Sequence, residues 1–151
     1  MSTRCQIGFY NKKSDKLKNF QALIYKHSDG YPGTEDGKEY GVLTDIIPFL
    51  KWWSKGRGLE DTEYAPARLL QYLANKSDKN SLEFAKEIKS ASSDINEEFT
   101  GIYGYGICKN FHGDIEFFYK IYPNELEVYD VSDQWDKFNK SGFKLLKTIK
   151  I

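Results

Sequence analysis

The sequence predicts an α+β domain with a mainly antiparallel sheet, in the order β-β-α-α-α-β-β-β, its helices packed on one face. Three observations carry this. Apolar residues alternate with period two over residues 5–10 and again from Ile115. They recur at helical spacing across the middle of the chain. The two patterns are segregated rather than interleaved, which favours α+β over a parallel α/β sheet. With 151 residues, 40% hydrophobic and 16% aromatic, the chain can build one core, and a single domain over 1–151 is expected.

Each element follows in turn. Cys5, Ile7 and Phe9 share one face of a first strand, and residues 20–27 form a second, so a hairpin is the economical pairing. Residues 27–40 are dense in Gly, Asp and Pro and read as a long loop, of the kind that often carries function. Leu43, Ile46, Ile47, Leu50 and Trp53 give a first helix over 42–55, with Pro48 tolerated in its first turn and Gly56 and Gly58 ending it. Asp61 or Thr62 caps a second helix reaching about Asn75. Asn80-Ser81-Leu82-Glu83 resembles a capping box and opens a third, with its stripe at Phe84, Ile88, Ala91 and Ile95. Strands are then expected at 103–108, 115–122 and 126–131, while 135–151 reads as a short helix or a final edge strand.

Charge and composition exclude several classes. Lys+Arg 22 against Asp+Glu 22 leaves no net charge, which argues against binding nucleic acid by bulk charge. No apolar run approaches the ~18 residues of a membrane span, and the first residues do not form a basic-then-apolar leader, so a soluble cytoplasmic protein is expected. Cys5 and Cys108 have no spacing that suggests a disulfide framework or a zinc knuckle. Gly104-Tyr105-Gly106 lacks the third glycine of a dinucleotide loop, and there is no P-loop. Arg4, Arg57 and Arg68 are the only arginines for planar recognition of phosphate or carboxylate.

The two histidines stand in like-built segments, His27-Ser28-Asp29 and His112-Gly113-Asp114, each at a strand end. In an extended segment residues i and i+2 face the same side, so each would present imidazole and carboxylate together. If the strand ends adjoin, His27, Asp29, His112 and Asp114 form a ligand set for Zn²⁺, Mn²⁺ or Fe²⁺, with Glu116 as base or third carboxylate. The competing reading makes both segments ordinary turns whose histidines bond backbone. A second feature is the aromatic surplus. Trp52 and Trp53 are adjacent on a helix, so one of them is expected to be exposed, with Lys51, Lys55 and Arg57 nearby.

The strings Ile24-Tyr25-Lys26-His27-Ser28-Asp29-Gly30-Tyr31-Pro32, Gly106-Ile107-Cys108 and His112-Gly113-Asp114-Ile115-Glu116-Phe117-Phe118-Tyr119 resemble a group of small uncharacterised proteins of phages, prophages and scattered bacteria. The resemblance implies a setting in mobile elements, where small proteins inhibit host factors or sequester defence signals such as cyclic nucleotides. It carries over no catalytic residues.

Three functions follow as expectations. The leading one is a non-enzymatic binding protein for a nucleotide-like signal or a host protein, using Tyr31, Trp52 and Arg57, with His27, Asp29, His112 and Asp114 as further ligand-binding candidates. The second is a metal-dependent phosphodiester hydrolase built on the two His-x-Asp segments. The third is a self-associating domain with Trp52 or Trp53 and an edge strand in its interface.

Overall fold

The computed structural model describes residues 3–88, 104–131 and 143–151, with backbone alone over 77–88. Among these, six strands form one mixed sheet and two helices cover one of its faces. In chain order the elements are β1 (Cys5–Phe9), a 3₁₀ turn (Leu17–Asn19), β2 (Ala22–Lys26), α1 (Val42–Gly56), α2 (Tyr64–Ile88), β3 (Tyr105–Ile107), β4 (Phe117–Tyr122), β5 (Glu125–Asp130) and β6 (Lys144–Lys150). The sheet order is β3-β2-β1-β4-β5-β6. Four of its five pairings are antiparallel, and the central pair, β1 with β4, is parallel with Cys5 opposite Phe117. The expected hairpin of β1 and β2 is present, as is the C-terminal edge strand. No described helix is long and apolar enough to cross a membrane.

The helical region departs from expectation in two ways. The second and third expected helices are one element, α2, because no Gly or Pro lies between Pro66 and Ile88 and the capping-type string at 80–83 has no chain break to act on. The last part of that third helix, 89–95, falls outside the described residues. Pro48 sits inside α1 rather than in its first turn. Asp61 does cap α2: its Oδ1 accepts the backbone N–H of Tyr64 at 3.0 Å.

Each face of the sheet has its own core. On the helix side, Cys5, Ile7 and Phe9 of β1 meet Ile24, Tyr119, Ile121, Leu126 and Val128 under Leu43, Ile46, Leu50 and Leu69 of the helices. Burial pushes the Cys5 thiol up to about 12, so it is inert as a nucleophile. On the other face, called the loop side below, Tyr10, Leu23, Phe118 and Tyr122 pack with Ile115 and Val131 beneath the segments that leave β1 and precede β4. Gly8 makes this aromatic packing feasible, since a Cβ there would stand 2.7 Å from Phe118 Cζ and 2.9 Å from Tyr10 Cε2. Gly8→Val is therefore expected to cost about 1–3 kcal/mol by overpacking, seen as a lowered thermal midpoint. An unchanged midpoint would show that the aromatics give way freely.

The long loop after β2 proves to be a helix cap. Tyr31 O accepts from Val42 N at 3.0 Å and Pro32 O from Leu43 N at 3.0 Å, satisfying donors that the first turn of α1 leaves unpaired. The loop closes on itself where Gly33, at φ +65°, passes Gly41: a Cβ on Gly41 would meet Pro32 C at 2.4 Å. Behind it, buried Asp45 accepts from Tyr40 Oη at 2.6 Å and from Lys76 Nζ at 2.9 Å, tying the loop and α2 to α1. The Tyr31 and Pro32 carbonyls and the close pass of Gly33 and Gly41 thus serve the start of α1.

Candidate functional site

Both histidines lie at the same end of the sheet, where β2 finishes and the segment before β4 begins. Tyr25 organises this end on the loop side. Its ring stacks on His112 at a centroid distance of 4.3 Å and meets His27 edge-on at 6.1 Å. Its hydroxyl donates to Asp114 Oδ2 at 3.0 Å. Burial, together with that hydrogen bond, pushes the Tyr25 phenol up to about 12, so it remains a donor. Arg4 Nε stands 3.4 Å from the same Asp114 oxygen, and His112 Nδ1 stands 3.8 Å from Oδ1. Oδ1 is shielded from solvent and accepts no hydrogen bond. The chain before β4 is pinned from below by Gln6, which is fully buried. Gln6 Nε2 donates to Asn110 O at 3.1 Å, and its Oε1 accepts the backbone N–H of His112 at 3.0 Å.

The two His-x-Asp segments thus behave differently. His112 and Asp114 are brought to within 3.8 Å, but by a turn at Gly113 and Asp114 rather than by an extended segment. Asp29 has φ +53°, in the left-handed region, so the segment after His27 is not extended and the i, i+2 argument fails there. Among the described residues no three His, Cys, Asp or Glu side chains gather in a way that could hold an ion. The four-ligand cage of His27, Asp29, His112 and Asp114 is not formed. Glu116 is held by its backbone, its N–H donating to Arg4 O at 2.9 Å and its carbonyl accepting from Val131 N at 2.8 Å.

A second site lies on the helices. Trp53 is turned into the core, with Nε1 donating to Gly58 O at 2.8 Å, while Trp52 is 67% exposed. Trp52 and Trp53 form one wall of a groove of about 720 Å³ between α1 and α2, lined also by Pro48, Phe49, Arg68, Gln71, Tyr72 and Asn75. Phe49 is its floor, stacked on Trp53 at 5.8 Å and tilted against Tyr72 at 5.5 Å. Arg68 Nη1 donates to Gln71 Oε1 at 2.9 Å, which orders the guanidinium on the rim. A smaller hollow of about 400 Å³ on the other flank of the indoles is bounded by Lys55, Gly56 and Arg57.

The expected trio of Tyr31, Trp52 and Arg57 does not form one site. Tyr31 is bonded to the first residue of α1 and Arg57 follows its last, so a helix of 15 residues separates them, roughly 22 Å by rise. Arg57 is also committed: its Nε bonds Asp61 and its guanidinium lies 3.9 Å over the Tyr64 ring. Arg68, one of the three arginines the sequence offers for planar recognition, takes its place beside Trp52, together with Gln71 and Asn75, which the sequence did not single out. Their signal was present as spacing, since Pro48 and Trp52, Phe49 and Trp53, Arg68 and Tyr72, and Gln71 and Asn75 are all i, i+4 pairs on facing helices.

Comparison with protein-family models, with curated proteins and with solved structures finds no match to this chain.

Proposed function

We propose that the protein binds a nucleotide-like ligand in the groove between α1 and α2. The observation that carries this reading is the exposed Trp52 indole beside an aromatic floor, with one guanidinium and two amides on the facing helix. Each part fits a component of a nucleotide. An indole face takes a base by stacking, worth about 1–3 kcal/mol per base. The Arg68 fork suits phosphate oxygens. Gln71 and Asn75 offer both donors and acceptors to base edges. The groove volume lies within the range of small-ligand sites.

The described lining residues are aromatic, amide and guanidinium groups, which suit retention of a ligand by stacking and hydrogen bonding. Sequestration of a nucleotide signal agrees with the resemblance to small phage and prophage proteins. The test is titration with a panel of nucleoside 5′-phosphates and cyclic di- and oligonucleotides, followed by calorimetry and by tryptophan emission. At least one member should bind with a micromolar or tighter constant and quench the emission. Absence of binding across the panel up to ~1 mM would contradict the proposal and turn attention to a protein that inserts a side chain beside Trp52.

A further inference from the structure

The loop-side cluster at the sheet end holds an arrangement that the groove does not explain. His112 is fixed on three sides: its ring lies on Tyr25, its backbone N–H is held by Gln6, and its Nδ1 faces Asp114. Its side chain is 44% accessible, and Nδ1 is the ring nitrogen that faces Asp114. The carboxylate 3.8 Å from Nδ1 favours a proton on that side of the ring by its charge, without a hydrogen bond, and Nε2 is the nitrogen placed to act as a general base. A second imidazole, His27, rests against the same tyrosine ring. Arg4 turns Nε to Asp114 Oδ2 at 3.4 Å while its side chain stays 35% accessible, which suits the guanidinium to a phosphate contact.

We propose that Arg4, His27 and His112, positioned by Asp114 and Tyr25, form an acid–base site that cleaves a ribonucleotide phosphodiester through the substrate's own 2′-hydroxyl. The class of reaction follows from what the cluster has and lacks. Two imidazoles supply a base and an acid, and an arginine supplies a phosphate contact. The nearest thiol, Cys108, is hydrogen-bonded to Gln6 and its pKa is raised by burial, so it is a poor nucleophile. A substrate that carries its own nucleophile removes that gap. His112 Nε2 takes the proton of the 2′-hydroxyl as O2′ bonds to phosphorus. The P–O5′ bond breaks, and His27 in its imidazolium form gives a proton to the departing O5′. The products are a 2′,3′-cyclic phosphate and a free 5′-hydroxyl, with protons and charge balanced and no co-reactant. Arg4 binds the non-bridging oxygens as charge builds on them. The neutral net charge fits a short strand better than a long polyanion.

The experiment incubates the full chain, in the presence of a chelator, with a mixed-sequence single-stranded oligoribonucleotide and with the DNA strand of the same sequence. Products are read by mass spectrometry. The RNA should yield 2′,3′-cyclic phosphate ends and the DNA should stay intact. His27→Ala and His112→Ala should each slow cleavage by about 100-fold or more. Arg4→Lys should act mainly on KM. Asp114→Asn should lower kcat at unchanged KM, with partial recovery in Asp114→Glu, a split that loss of structure would not produce. Thermal melts confirm that each variant is folded. The proposal is overturned if RNA cleavage does not exceed that of an identically purified His27→Ala/His112→Ala protein, if DNA is cut as well, or if the chelator abolishes the reaction.

Discussion

Lys120→Ala is expected to lower the stability of the protein by about 3–5 kcal/mol, the cost of leaving a buried partner charge uncompensated. Lys120 is 4% exposed on the loop side of β4. Its Nζ donates to Lys13 O at 2.7 Å and Asp15 O at 2.8 Å and stands 3.9 Å from Glu127 Oε2. It therefore closes the segment after β1 onto the sheet and balances a carboxylate that is itself 5% exposed. Glu127 would keep its hydrogen bonds from Tyr122 Oη at 3.0 Å and Tyr129 Oη at 2.6 Å, but not its counter-ion. At roughly 2–4 °C per kcal/mol for a chain of this size, the thermal midpoint should fall by about 10 °C. Lys120→Met combined with Glu127→Gln should recover part of the loss, because the pair is then removed together. A midpoint unmoved by Lys120→Ala would show that the ammonium does not hold the loop-side core.

The second large effect concerns the groove. Trp52→Ala should weaken a bound nucleotide by about 10- to 100-fold, through loss of base stacking. Arg68→Ala should weaken it to a similar degree by removing a charge-assisted contact worth about 1.5–3 kcal/mol. Both residues are exposed, and neither change should move the thermal midpoint by more than the ~0.5 kcal/mol usual for surface positions. Arg57→Ala is the informative control. Its side chain is already engaged by Asp61 and Tyr64, so binding should persist in that variant. If Arg57→Ala abolished binding while Arg68→Ala did not, the ligand would belong in the smaller hollow on the other flank of Trp52.

The strands were legible because period-two alternation survives burial on both faces. Cys5, Ile7 and Phe9 point to the helices while Gln6 and Gly8 point to the loop side, and both sets are needed. The parallel pairing of β1 and β4 was not legible, since nothing in either strand's own pattern encodes its neighbour's direction. The split of α2 into two helices came from weighing a local capping string above the absence of any Gly or Pro. At the sites, His112 and Asp114 come together through a turn at Gly113 and Asp114, with Asp114 bonded to Tyr25 and His112 stacked on its ring, a geometry that extended i, i+2 spacing does not describe. At His27 and Asp29 the extended premise also fails, because Asp29 itself is left-handed at φ +53°. Adjacent tryptophans correctly implied one exposed indole, but its neighbours come from α2, a tertiary contact that one helix's sequence does not contain.

The most direct test of the groove is to map backbone and indole NMR shifts of the full chain during titration with the tightest-binding nucleotide of the panel. The account predicts the largest changes at the Trp52 indole and at Phe49, Arg68, Gln71 and Asn75. Changes confined to the Tyr25 end of the sheet, with the Trp52 indole unaffected, would contradict it.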